Sequence, residues 1–198
     1  MLEQEERTRR IVATAVELAE EGGFEAVRMR DVAAHAGVAL GTFYKRFRSK
    51  EDLLVAALEL ESGQLGKRLA KKMNGEGTRQ ERVLGFFDVA TKGLTKKPNL
   101  AKAILRAVAS GDPELSPRVA NFHNAMTRNI TVALRGAPID DDSEVSELEE
   151  NVSFLLQQVW FASLVGWSSG LHSRKKVVEQ MRIAADLLLR GMTDMENE

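Results

Sequence analysis

The sequence predicts an all-α protein, and three observations carry that reading. Apolar residues recur at helical spacing along the whole chain, from Ile11, Ala15, Leu18 and Ala19 near one end to Val177, Met181, Ala184, Ala185 and Leu188 near the other. Only 4 prolines interrupt 198 residues, and the β-branched runs that strands favour are few. Cysteine is absent, which excludes a disulfide scaffold and a thiolate metal site. With 43% hydrophobic residues, a chain of this length can bury a core in one or two domains, and its periodic segments number about nine.

Taken in order, Arg7 to Glu21 forms one helix, which Gly22-Gly23 ends. Met29, Val32, Ala33 and Ala36 then fall at i, i+3, i+4 and i+7. Gly37 follows where a left-handed residue closes a helix, so the turn lies at Gly37 and Val38. After it Leu40, Phe43 and Phe47 face the core, leaving Gly41, Thr42, Tyr44, Lys45 and Arg46 on the other faces. The pair reads as a helix-turn-helix. Ser49-Lys-Glu-Asp52 fits a capping box and opens a long helix through Leu53, Leu54, Ala57, Leu58 and Leu65 to about Met73.

Asn74-Gly-Glu-Gly-Thr78 is a boundary loop. Two helices follow, one presenting Val83, Phe86, Phe87, Ala90 and Leu94, the next beginning at Pro98 and presenting Leu100, Ala103, Ile104, Ala107 and Val108. Gly111 to Pro117 reads as a loop, Val119, Phe122, Met126, Ile130 and Ala133 as a further helix, and Gly136 to Asp142 as a solvated acidic loop. Asn151 to Ser173 carries no charge and is expected to be buried on nearly all sides. Its Gln157, Gln158, Ser163, Ser168 and Ser169 make it too polar to span a membrane. A last helix runs from about Lys175 to Met192, and the cations Lys71-Lys72, Lys96-Lys97 and Arg174-Lys-Lys176 are expected to complement C-terminal helix dipoles or to be solvated.

Charge points to function. Between Arg28 and Lys50 six cations stand against Asp31 alone, a local +5 in a chain whose total is −1. A near-neutral chain is no general nucleic-acid coat, so any binding must come from this patch. Small, hydroxyl-bearing and cationic residues on one helix face suit a duplex: the glycine permits close approach, and the others meet phosphate oxygens and base edges. The candidate DNA-binding residues are Arg28, Arg30, Gly41, Thr42, Tyr44, Lys45, Arg46 and Lys50, while Arg7, Arg9 and Arg10 read either as phosphate contacts or as a solvated basic helix end. No Gly-x-Ser-x-Gly, His-Glu-x-x-His or phosphate-binding glycine loop occurs, so no catalytic residue, metal ligand or cofactor is assigned. His35, His123 and His172 are too scattered for a metal triad and read as surface or helix-borne polar residues. Met1 to Glu6 is acidic and polar rather than a secretory leader, which makes a cytoplasmic location the expectation.

Gly23-Phe-Glu-Ala-Val27, Val32-Ala-Ala-His-Ala-Gly-Val38, Gly41-Thr-Phe-Tyr-Lys-Arg-Phe47 and Ser49-Lys-Glu-Asp-Leu-Leu54 together resemble the N-terminal domain of TetR-family repressors, over about the first quarter of the chain. One departure is Arg28, which stands where the family often has a capping Ser or Thr and cannot accept a capping bond. Lys97-Pro-Asn-Leu100 and Val159-Trp-Phe-Ala-Ser-Leu-Val-Gly-Trp167 resemble a subgroup controlling steroid and fatty-acid degradation. That resemblance implies an acyl-CoA or steroid-CoA effector.

The resemblance and the residues together imply an N-terminal three-helix DNA-binding domain over 1–50, then a helical effector-binding and dimerisation domain over 51–198. The partners expected are a palindromic double-stranded operator, a hydrophobic small-molecule effector and a second copy of the chain, with no membrane. The pocket is expected among Phe86, Phe87, Leu105, Phe122, Met126, Phe154, Trp160, Leu164 and Trp167, with Gln157, Gln158 and Asn129 to orient a polar head. The dimer interface is expected at Leu155, Ala162, Gly166, Met181, Ala184 and Leu188, on two helices with small side chains. In this reading the long fourth helix is a lever between pocket and reading head, and ligand releases the operator. The alternatives are a constitutive DNA-binding protein without effector and an enzyme acting on a hydrophobic substrate.

Overall fold

The computed structural model describes residues 2–72, 76–139 and 144–197, with side chains described for 3–63, 76–139 and 144–197. Among the described residues there are nine α-helices, one short 3-10 turn and no strand. The helices are α1 (Leu2–Ala26), α2 (Met29–His35), α3 (Leu40–Tyr44), α4 (Lys50–Lys72), α5 (Arg79–Thr95), α6 (Pro98–Val108), α7 (Ser116–Arg135), α8 (Glu147–Ser168) and α9 (Arg174–Glu196). The chain forms two compact units, residues 1–62 with 96–122 and residues 63–95 with 123–198, so α4 and α7 each contribute to both.

In the first unit α1 begins five residues before Arg7, and Gly23 at φ 68° ends its regular part at the expected double glycine. Ile11, Val12, Ala15 and Ala19 are buried along it. Val32, Ala33 and Ala36 of the next segment are buried, and Gly37 at φ 64° makes the turn. Leu40 departs from expectation: it is 37% exposed, because α3 is barely more than one turn and only Phe43 and then Phe47 reach the interior. The capping box at Ser49 is half made. Ser49 Oγ accepts from Asp52 N at 3.1 Å, but the Asp52 carboxylate accepts from Arg48 N at 3.0 Å rather than turning back to Ser49. α6 packs along α1, and Lys97 pairs with Glu20, Asn99 Nδ2 donates to Glu20 O at 3.0 Å and Arg106 meets Glu25 at 2.8 Å.

The segment read as a loop from Gly111 to Pro117 is more ordered than its composition suggests. Asp112 caps a 3-10 turn over Pro113–Leu115, which buries Leu115, and α7 starts at Ser116. The acidic run Asp140–Asp142 and the loop residues Asn74 and Gly75 lie outside the described residues.

In the second unit α9 packs against both α8 and α5. α8 opens on a capping box that periodicity alone overlooked: Ser146 Oγ accepts from Glu149 N at 3.2 Å, and Glu149 accepts from Ser146 N at 2.9 Å. The end of α7 is closed by side chains from its neighbours. Arg82 of α5 donates to the carbonyls of Ala133 and Leu134 at 3.0 and 2.7 Å, satisfying acceptors that a helix end leaves free. Arg135 grips Glu149 through two bonds of 2.7 and 2.6 Å. Gly136 continues the turn at φ 74°, and a Cβ there would lie 2.7 Å from Arg82 Nε, so both backbone and space require glycine.

Two further expectations are corrected. The uncharged stretch of α8 is not buried all round: Phe154 and Leu155 are 48% and 46% exposed, and Leu171 beyond it is exposed too. Arg174-Lys-Lys176 is exposed, as the solvated alternative had it, but occupies the first turn of α9, the positive end of the helix dipole, so these cations oppose the dipole and do not complement it. Periodicity marks which residues share a helix face but not where the helix begins.

Candidate nucleic-acid interface and effector core

The candidate reading surface is built on Phe43 and Phe47, both buried, with ring centroids 5.9 Å apart. Their burial turns the intervening residues outward. Gly41, Thr42, Tyr44, Lys45 and Arg46 are all exposed, as their spacing implies, and Tyr44 stands edge-on to Phe43 at 5.9 Å. Thr42, Lys45 and Arg46 also line a cleft of about 360 Å³ with Arg7 and Thr8 of α1. Arg28 and Arg30 are exposed at the start of α2, and Arg9 and Arg10 on α1. Arg28 sits at the N-cap with no capping bond, so the guanidinium is free to face outward.

Lys50 is placed differently. Its Nζ stands 3.8 Å above the centre of the Phe24 ring and 3.6 Å from Glu25 Oε2. The Arg106 guanidinium lies 4.0 Å from the same ring and bonds the same carboxylate at 2.8 Å. Arg106 first, and Lys50 with it, holds the Glu25 carboxyl below the usual carboxylate range. This joint fastens the start of α4 and the body of α6 to the end of α1, a function that spacing in the sequence does not disclose.

The residues expected to wall an effector pocket are divided. Leu105 and Phe122 belong to the first unit; Phe86, Phe87, Met126, Phe154, Trp160, Leu164 and Trp167 belong to the second. Within the second unit Phe86 and Phe87 are edge-to-face at 5.1 Å, and Phe87 lies 5.9 Å from Trp160. Met126 and Leu164 are buried and Trp167 is half-buried, whereas Phe154 points outward beside Leu155. Of the residues expected at a dimer interface, Leu155 and Ala162 are exposed, Ala184 and Leu188 are half-buried, and Met181 and Gly166 are buried. Gly166 is closed by its own chain: a Cβ there would lie 2.5 Å from His172 Nε2.

Polar groups run through the aromatic core. Trp160 Nε1 donates to Thr91 Oγ1 at 2.8 Å. Thr127 Oγ1 donates to Gln157 Oε1 at 2.9 Å, and Gln157 Nε2 meets His123 Nδ1. Thr131 and Ser153 share a hydroxyl bond of 2.9 Å. Burial holds the His123 imidazole below its ordinary pKa, so it is a neutral donor and acceptor at pH 7. His35 lies outside this group, exposed, with Nδ1 2.7 Å from Asp31 O. The sequence pointed to Gln157 and read His123 only as a surface or helix-borne polar residue, while Thr91, Thr127, Thr131 and Ser153 were not singled out. Their signal is the pairing of polar residues four apart, Thr127 with Thr131 and Ser153 with Gln157, on otherwise apolar faces.

Comparison with known proteins converges on one assignment. Residues 11–57 match the family described as bacterial regulatory proteins, tetR family, and residues 75–188 match the tetracyclin repressor-like C-terminal domain. The HTH-type transcriptional repressor KstR of Rhodococcus jostii is 33% identical over 94% of this chain and 84% of its own length. The crystal structure of a TetR transcriptional regulator from Rhodococcus sp. RHA1 superposes with a TM-score of 0.80 at 28% identity, covering 94% of this chain and 97% of that one. Thermus thermophilus FadR, a TetR-family repressor in complex with lauroyl-CoA, superposes with a TM-score of 0.70 at 22% identity over 93% and 94% of the two chains, a likeness of fold. No helix among the described residues is long and apolar enough to cross a membrane. The exposed cationic hairpin, the all-helical fold and these matches lead to one conclusion: the chain belongs to the TetR family of ligand-responsive, DNA-binding transcriptional repressors.

Proposed function

We propose that residues 1–50 read a palindromic operator and that residues 51–198 dimerise and hold a long-chain acyl-CoA or steroid-CoA thioester, whose binding releases the DNA. The observation that carries the effector class is the aromatic core of Phe86, Phe87 and Trp160 threaded by the polar groups of Thr91, Gln157 and His123. Apolar walls with a few convergent hydrogen-bonding groups suit a lipid that carries a polar function. Lauroyl-CoA in the Thermus relative supports the same class.

Dimerisation is supported by apolar side chains that a lone chain leaves in water. Phe154 and Leu155 on α8 and Ile183 and Leu187 on α9, the last two 53% and 66% exposed, are large and only partly covered by their own chain. A two-fold contact of α8 and α9 with their copies would bury them. Two such chains present two hairpins, and the operator is released when ligand favours a separation that no longer fits major grooves about 34 Å apart. The ligand must bind that state more tightly to have this effect. The chain reaches from hairpin to core through α4 and α7, which belong to both units.

The test is a titration of lauroyl-CoA and of a steroid-CoA thioester into the operator complex, following tryptophan emission and DNA release together. Both tryptophans, Trp160 and Trp167, lie in the second unit, and Trp160 is in the aromatic core. If neither thioester shifts emission or releases DNA, the lipid assignment falls.

A further inference from the structure

α5 and α9 run antiparallel: Arg79 at the start of α5 pairs with Glu196 at the end of α9 at 3.0 Å. Between them lies a cleft of about 600 Å³, whose walls carry Lys92, Arg174, Lys175 and Arg182 against Asp88 and Glu179. It adjoins a hollow of about 240 Å³ with apolar walls from Leu84, Phe87, Val178 and Met181. Val178, Asp88 and Arg182 line both, so the two form one groove, basic beside Lys92, Arg174 and Lys175 and more apolar beside Leu84, Phe87 and Met181.

The four cations are gathered without partners. Among the described residues none of them makes an ion pair or a side-chain hydrogen bond, and Glu179 is already held by Lys176 at 3.2 Å. Arg174 and Lys175 stand on the first turn of a 23-residue helix, where the dipole adds to their own positive field. Self-repulsion of this kind lowers the stability of the empty protein and is relieved by an anion. The groove borders the aromatic core. Phe87, in the wall of the hollow, is the ring beside Trp160, and Thr91, in the wall of the cleft, accepts the Trp160 indole N–H.

We infer that the α5–α9 groove holds the phosphate-bearing head of the effector, with phosphates among Lys92, Arg174, Lys175 and Arg182 and the apolar portion entering past Val178 and Phe87. This rests on the reading that the effector is a CoA thioester and adds the place where its charged end is recognised. Arg offers a planar fork that matches a phosphate through two bonds, and Lys a mobile point charge, so this mixed set suits a flexible polyphosphate.

The test uses the full-length protein and calorimetric titration with lauroyl-CoA, free coenzyme A and lauric acid, comparing wild type, R174A/K175A and the charge-conserving R174K/K175R. Both residues are exposed, so the substitutions leave the core intact. R174A/K175A should weaken lauroyl-CoA about tenfold or more, the loss expected for one or two charge-assisted phosphate contacts. Free coenzyme A should bind wild type and escape detection with R174A/K175A, R174K/K175R should retain most of the affinity, and lauric acid should not discriminate. Equal lauroyl-CoA binding by wild type and R174A/K175A overturns the groove while leaving the effector class standing. Binding of coenzyme A that is lost in R174A/K175A, without any binding of thioesters, overturns the effector class while keeping the groove as a phosphate site. Absence of both overturns both.

Discussion

Arg118 Nε lies 2.7 Å from Asp52 Oδ1, and its NH1 lies 2.8 Å from Glu59 Oε2. The other oxygen of Asp52 accepts from Arg48 N, the first residue after Phe47, and the guanidinium stands 5.8 Å from the Phe47 ring. One side chain from the start of α7 thus gathers the beginning of α4 and the end of the hairpin. The arrangement holds within the first unit, and α7 then continues into the second.

Replacing Arg118 by Ala strands the Asp52 carboxylate, whose side chain is only 13% exposed. The expected cost is about 1–3 kcal/mol, less than for a fully buried pair because Arg118 is itself a third exposed. Urea denaturation should show a lowered midpoint, and operator affinity should fall with it as the hairpin loses a support. An unchanged midpoint would mean that the pair contributes nothing to folding.

Lys45→Ala should weaken binding to specific and random duplexes alike, and make the plot of log affinity against log salt shallower by about one unit. Its side chain is exposed on the candidate reading surface, so thermal stability should not change. Lys50→Ala should behave differently. Because Lys50 is held by Glu25 and Phe24, its loss should lower stability whether or not the salt slope moves. Identical salt slopes for wild type and Lys45→Ala would remove Lys45 from the DNA interface.

For the dimer the informative substitution is Leu187→Glu, since Leu187 is 66% exposed and lies outside the buried core of the chain. Sedimentation should show a folded monomer with weakened operator binding. Gly166→Arg would be a poor probe, because any side chain there collides with His172 before it meets a second copy. A Leu187→Glu protein that sediments as an undiminished dimer would place the interface elsewhere.

The Arg135–Glu149 pair sets an acid limit on stability. The Arg135 hydrogen bonds, helped by Ser146, hold the Glu149 carboxyl down at about 2, from an ordinary 4.5. Because the folded state prefers the ionised form, the contribution is complete above the unfolded value and is lost as pH falls from about 4.5 toward 2. With Glu149 only 15% exposed, it is on the order of 3 kcal/mol at neutral pH. Glu149→Gln should lower stability at pH 7 and remove that part of the acid dependence. Parallel stability curves for the two proteins between pH 5 and 3 would refute the assignment.

The hairpin was legible in the sequence because its physics is local. Gly37 at positive φ, Val32 and Ala33 turned inward, and Phe43 and Phe47 bracketing exposed Tyr44, Lys45 and Arg46 all follow from spacings within one or two helical turns. The double glycine that ends α1 and Pro98 at the start of α6 are of the same kind. Helical periodicity likewise announced an all-α core. Tertiary structure decided what depends on partners far apart in sequence: Lys50 over Phe24, Arg118 on Asp52, Arg82 closing α7, and the polar seam of Thr91, Trp160, Gln157 and His123. It also decided that Phe154 faces outward while Trp160 faces inward, although both are aromatic residues on one uncharged helix. A helical period sorts residues into faces, but only packing against other helices determines which face meets the core, which end of a helix carries a charge, and which cations are left to meet a ligand.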